Sequence, residues 1–121
     1  MRGTVLVVED ERMLRSALRR VLAPVHDVSM VERAEEALER VLSGERFDVI
    51  LTDLMLPGMS GMQLYAELER VAPEQAQAVV FMSGNASSPS AKAFLAKLPG
   101  RWVEKPFESQ DLLGLLNERL G

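Results

Sequence analysis

A chain of 121 residues is the size of one domain, and with 47% hydrophobic and 26% charged residues it has the composition of an ordinary globular protein. It has no cysteine, which excludes disulfides and thiolate metal sites; no apolar run approaches the roughly 20 residues of a membrane span, and residues 1–8 lack a secretion-signal pattern, so the expected compartment is the cytoplasm. The net charge of −4 supplies no electrostatic reason for this chain to bind nucleic acid directly.

In chain order, the apolar run Thr4–Val8 predicts a first strand, followed at once by Glu9-Asp10. Leu14, Leu18, Val21 and Leu22 then recur at helical spacing. His26–Met30 predicts a second strand, and Ala34, Leu38, Val41 and Leu42 mark a second helix. A third strand is expected over Phe47–Thr52, ending at Asp53, with Leu64, Leu68 and Val71 on the helix beyond it. Ala78–Met82 predicts a fourth strand that leads into Ser83. Ser83–Ser90, rich in Ser, Asn and Gly, reads as a loop, and Ser87–Leu98 as a weaker helix with Pro89 in its first turn. Arg101–Val103 predicts a fifth strand running into Lys105-Pro106, and Leu112, Leu115, Leu116 and Leu120 a last helix.

Runs such as Val5-Leu6-Val7-Val8 and Val49-Ile50-Leu51 are continuously apolar, the pattern of parallel strands covered by helices on both faces. Strict β–α alternation therefore predicts an α/β, doubly wound parallel sheet of five strands. The expected order is 2-1-3-4-5, the flavodoxin-like arrangement, in a single domain over residues 1–121. Ligands in such sheets sit beyond the carboxyl ends of the strands, where the order reverses.

Those ends carry Glu9-Asp10, Asp53, Ser83 and Lys105. Taken singly each is ordinary: acids favour the start of the next helix, and an Asp ahead of a Pro-Gly turn is usually a turn residue. Together they place three carboxylates, a hydroxyl and one ammonium on one edge. Two carboxylates about 5 Å apart repel by about 3 kcal/mol at an effective dielectric near 20. A divalent, oxygen-preferring cation such as magnesium would balance the excess negative charge, and a raised carboxylate pKa is the alternative.

The ordered set Glu9-Asp10, Asp53 through Gly61 (Asp-Leu-Met-Leu-Pro-Gly-Met-Ser-Gly), Ser83-Gly84 and Lys105-Pro106-Phe107 resembles the signature of response-regulator receiver domains, across essentially the whole chain. The resemblance implies that Asp53 accepts a phosphoryl group from a histidine kinase or phosphotransfer protein. It further implies that Asp10, Asp53 and the backbone carbonyl of Met55 hold magnesium, with Glu9 acting through a water. Lys105 and Ser83 would contact phosphoryl oxygens, and Ser83 and Trp102 would form the switch. Pro57, Gly58 and Gly61 would shape the loop after the third strand, and Lys105-Pro106 would be a cis peptide. Met55 and Asn85 would influence hydrolysis of the acyl phosphate. The kinase is expected to dock over Arg12–Arg20, with Arg12 and Arg15 in the contact, and over the loop after the fifth strand.

Three departures stand out: Leu98-Pro99 where many members have Gly-Ala, a short fourth helix, and Trp102 in place of the common Tyr or Phe. They put in doubt dimerisation through the face of the fourth helix, fifth strand and last helix, used by many DNA-binding relatives, and leave a weak homodimer open. The resemblance fits either a stand-alone regulator or a receiver from a longer protein, such as a hybrid kinase or a DNA-binding regulator. A haloacid-dehalogenase-like phosphatase would need an acid where Met55 stands, and a flavodoxin-type binder an anion loop where Glu9-Asp10-Glu11 stands. A receiver-like interaction module that never uses its phosphorylation site is a third reading, against which Asp53, Lys105 and the acidic pair speak together.

Overall fold

The computed structural model describes residues 2–84 and 88–120. Five parallel strands, β1 (Thr4–Val8), β2 (Asp27–Val31), β3 (Val49–Asp53), β4 (Val79–Ser83) and β5 (Trp102–Glu104), form one sheet in the order β2-β1-β3-β4-β5. The helices are α1 (Arg12–Leu22), α2 (Ala34–Leu42), α3 (Gly61–Val71), α4 (Pro73–Ala76), α5 (Pro89–Ala96) and α6 (Ser109–Leu120). The expected flavodoxin-like α/β architecture is thus the one observed. The order reverses between β1 and β3, whose register pairs Val8 with Thr52, so the residues just past these two ends lie side by side.

Alternation along each strand divides the core in two. Val5, Val7, Val49, Leu51, Val80 and Met82 face Leu18 and Leu22 of α1 and Leu112 and Leu116 of α6. Leu6, Val8, Ile50, Val79 and Phe81 face the opposite layer, built from α2 through α5 with Leu64 and Leu68 at its centre. Each such side chain, fully removed from water, contributes about 1.5–3 kcal/mol, and the polar residues buried in β1, β3 and β4 are confined to Thr52, Asp53 and Ser83 at the carboxyl ends. In the second layer Tyr65, Phe81 and Phe94 meet edge to face, at centroid separations of 5.2–5.8 Å.

The helix starts follow local chemistry. Ser60 accepts the N–H of Gln63, whose side chain accepts the N–H of Ser60 in return, so α3 opens on a capping box. Ser88 caps α5 through the N–H of Ala91, and Pro89 takes the first helical position, where no N–H is required.

Two sequence expectations need correction. Each of the last four strands ends one residue later than the apolar runs suggest, because backbone pairing carries Asp53 opposite Met82 and Ser83 opposite Glu104. Hydrophobic patterning is blind to a polar residue that stays in the ladder. Leu42 lies at the end of α2 with 62% of its surface exposed, outside the core its spacing suggested. In addition, Pro73–Ala76 forms a helical turn of its own, where the apolar spacing marks no element. It serves Gln75, whose amide accepts from the Phe47 N–H and donates to the Phe47 carbonyl, closing the entry to β3. The unusual Leu98-Pro99 entry to β5 is a tight turn: the Arg101 N–H donates to the Leu98 carbonyl, and Gly100 takes a φ of 76° that side chains disfavour.

Candidate functional site

Glu9 and Asp10 follow β1, Asp53 and Ser83 are the last residues of β3 and β4, and Lys105 follows β5. Asp53 is 8% exposed and Glu9 only 1%, whereas Asp10 is exposed. One carboxylate oxygen from each of the three acids lies within 4.8 Å of the others. Lys105 reaches across the cleft, its Nζ lying 2.8 Å from Asp53 Oδ2 and 3.2 Å from Glu9 Oε1. The Lys105 N–H donates to the Ser83 carbonyl, which fixes the lysine backbone against the end of β4, and the Lys105–Pro106 peptide is cis.

The electrostatics of this cluster are unbalanced. Burial raises the Glu9 carboxyl to about 7; the neighbouring Asp53 charge adds to this, while the Glu11 N–H and Lys105 pull it down only in part. Burial alone would lower the Lys105 ammonium, but its hydrogen bond to Asp53 and the charges of Asp53 and Glu9 outweigh that and raise it. Lys105 therefore remains a cation, shared between two acids. With Glu9 raised to about 7, the second route open to the cleft is a proton on that carboxyl. A divalent cation among the three carboxylates would remove that need. The donor set, oxygen without nitrogen or sulfur, fits a hard ion.

The loop after β3 is held close to the site. The Met55 N–H donates to Asp53 Oδ1 at 3.2 Å, and the Met55 side chain points out to solvent, 61% exposed. Gly58 adopts a φ of 75°, and the adjacent Met59 N–H donates to Glu35 of α2. Gly61 is there for space: a β-carbon at this position would run into the carbonyl oxygen of Asp53. Asn85 lies outside the described residues.

Ser83 Oγ contacts the Gly84 carbonyl at 3.2 Å. Ser83 and Trp102 both line a groove of about 340 Å³ between the start of β5 and α5, so the two residues of the expected switch open onto one space. On the other side of Lys105, a larger groove of about 540 Å³ runs between α1 and Pro106-Phe107.

Arg15 does not belong to the exposed face of α1, contrary to the expectation that paired it with Arg12. Its Nη1 donates to the carbonyls of Glu9 and Asp10, both at 3.0 Å, and its Nη2 lies 3.2 Å from Glu32. Helical spacing places Arg15 beside Arg12, but only the tertiary fold shows that its side chain turns inward.

The family model for the response regulator receiver domain matches residues 5–117. Among curated proteins, the chain is 37% identical over 117 residues to the two-component response regulator PhoP of Pseudomonas aeruginosa, covering 96% of this chain and 51% of that one. It is 34% identical over 117 residues to the response regulator protein FleR of the same organism, covering 96% of this chain and 24% of that one. The chain thus spans between about a quarter and a half of the length of these relatives. Among solved structures, FixJ-N superposes with a TM-score of 0.82 at 27% identity, covering 97% of this chain and 92% of that one. A receiver domain protein of Clostridium thermocellum shares the fold at a TM-score of 0.84 and 23% identity, covering 98% and 94% of the two chains. With the matched family model, the ordered acids and lysine, and the sheet that gathers them at one edge, this chain belongs to the response-regulator receiver family.

Proposed function

We propose that residues 1–121 act as one phosphoacceptor switch, in which Asp53 takes a phosphoryl group from a histidine kinase or phosphotransfer protein in the presence of magnesium. The observation that carries this reading is the placement of Asp53: nearly buried, beside two other carboxylates, and bonded to the ammonium of Lys105. Asp10 and Asp53 would hold the ion with the Met55 carbonyl, and Glu9 would act through a water. Bound there, magnesium supplies charge neutralisation for the transferring group.

The chain's own residues supply position. The Met55 N–H on Oδ1 and Lys105 on Oδ2 fix the plane of the Asp53 carboxylate. An Asp53 oxygen attacks the phosphorus of the partner's phosphohistidine; the O–P bond forms as the P–N bond breaks, and that bond's electron pair leaves on the imidazole nitrogen. The ammonium of Lys105 then pairs with a phosphoryl oxygen in place of Asp53 Oδ2. The Ser83 hydroxyl turns from the Gly84 carbonyl to another phosphoryl oxygen, and Trp102 repacks in the groove it shares with Ser83. Because these contacts exist only in the closed arrangement, phosphorylation shifts an existing equilibrium by their free-energy difference. The partner would approach over the groove between α1 and Phe107, where Met13 is 80% exposed and Arg12 stands free of the core. Such a module catalyses nothing beyond its own phosphoryl transfer and dephosphorylation, and its acidic balance leaves nucleic-acid binding to other parts of any longer regulator.

Incubation with acetyl phosphate and magnesium should add one phosphate, which Asp53→Asn abolishes. Undiminished labelling of that variant would move the acceptor elsewhere. A parent that takes no label at all would make the chain an interaction module that leaves Asp53 unused.

A further inference from the structure

Arg15 has only 19% of its side chain exposed, although it sits on the first turn of a surface helix. Its guanidinium contacts among the described residues converge on the acidic pair and the neighbouring strand end: Nη1 to the carbonyls of Glu9 and Asp10, Nη2 to Glu32 just past β2. The carbonyl of Asp10 belongs to the same planar peptide as the N–H of Glu11, and in a trans peptide the two point in opposite directions. That N–H donates to Glu9 Oε2 at 2.9 Å. Holding the carbonyl on one side of the plane therefore aims the N–H at the Glu9 carboxylate on the other. The second bond fixes the peptide between Glu9 and Asp10, from which both acidic side chains spring. On the strand side, the Glu9 N–H donates to the Val31 carbonyl at 3.1 Å, so the pair is anchored at both ends of the turn.

We infer that Arg15 is a positioning residue: by clamping the carbonyls of Glu9 and Asp10 it orients the acidic pair for a divalent cation, without touching that cation itself. This rests on the magnesium reading given above. Charge and geometry make opposite claims here. A guanidinium near the cleft repels a cation, so by charge alone its loss would tighten binding. By geometry its loss frees the peptide that aims at Glu9 and weakens binding. Lysine separates the two, because it keeps the charge but lacks the planar fork that serves two carbonyls and a carboxylate together.

The test is magnesium titration calorimetry on the full chain, with amide hydrogen exchange at Glu11 as a second readout. Arg15→Lys and Arg15→Gln should each weaken magnesium binding about ten-fold, the scale seen when outer partners of metal ligands are removed. Both should also speed exchange of the Glu11 amide. Arg12→Gln, which removes the same charge from an exposed position on the same helix, should leave affinity and exchange close to the parent's. Parent-like affinity and a protected Glu11 amide in Arg15→Lys, or tighter binding in Arg15→Gln, would overturn the inference. If Arg15→Gln fails to fold, Arg15→Lys carries the test alone. A parent that binds no magnesium would instead overturn the magnesium reading, and the Glu11 amide would still decide whether Arg15 positions the pair.

Discussion

The two ends of the sheet bury polar groups in opposite ways. At the amino-terminal edge, Gln75 satisfies both the N–H and the carbonyl of Phe47, Asp48 accepts the Thr4 N–H, and His26 accepts the Gly3 N–H through Nδ1. The buried members, Gln75 and His26, are neutral groups matched to the backbone; among the described residues only His26 Nε2 is buried without a hydrogen-bond partner. At the carboxyl edge the buried groups are charges of one sign in excess, with Lys105 divided between Glu9 and Asp53. Gln75, neutral and paired at both amide atoms, is the pattern of a polar group that completes a fold, since stranding such a group costs about 1–3 kcal/mol. A cluster left short of cations takes up a proton or an ion, and such unfinished electrostatics is what makes it the candidate site.

The comparison is broken most forcefully at Gln75. Gln75→Leu strands two backbone groups of Phe47 at about 1–3 kcal/mol each. Denaturant unfolding should register that loss, while labelling by acetyl phosphate at a temperature where the variant stays folded proceeds as in the parent. Reduced labelling of folded protein would mean that the two ends are not independent.

At the opposite end, on the proposed function, Ser83→Ala would remove one charge-assisted hydrogen bond to the phosphoryl group, about 1.5–3 kcal/mol. Asp53 should still be labelled, but the Trp102 indole N–H, followed by NMR, should respond far less to phosphorylation. A full response would make Trp102 a packing residue and leave the shared groove without a role.

Acidity sharpens the contrast further. The folded chain holds the Glu9 proton up to about 7, whereas the unfolded chain releases it near 4.5. Between those values the folded state binds more protons, so this contribution to stability is full below 4.5 and is lost as pH rises through about 7. Thermal melts in chelator should show that decline, Glu9→Gln should flatten it, and magnesium should oppose it. His26 gives the smaller effect with the reverse sign. Burial holds its imidazole below the ordinary 6.5, so its contribution is present above 6.5 and lost as pH falls further. In the Glu9→Gln background, melts from pH about 7 down to about 5 should fall from the His26 contribution, and His26→Gln should reduce that fall. An unchanged slope would assign the acid side to other groups.

Much of this was legible in the order of the residues. Val5 to Val8 and Val49 to Leu51 announce strands covered on both faces, and strict alternation with helices leaves few topologies besides the one observed. The candidate site was legible for the same reason: carboxylates, a hydroxyl and a lysine at successive strand ends must share an edge once the strands are parallel. Apolar spacing could not show where pairing stops, so the strands run one residue further than it implied, carrying Asp53 and Ser83 inside the sheet.

The sequence by itself determined the fold class, the edge that gathers the acids, the hydroxyl and the lysine, and the identity of those groups, because each depends on residue type and period alone. Only the tertiary structure decided which acid is buried and proton-hungry, that Lys105 is shared by Glu9 and Asp53, and that Arg15 turns inward while Arg12 faces out. Those outcomes depend on distances between strands and helices far apart in the chain, and burial and Coulomb energy are functions of such distances, not of neighbours in sequence.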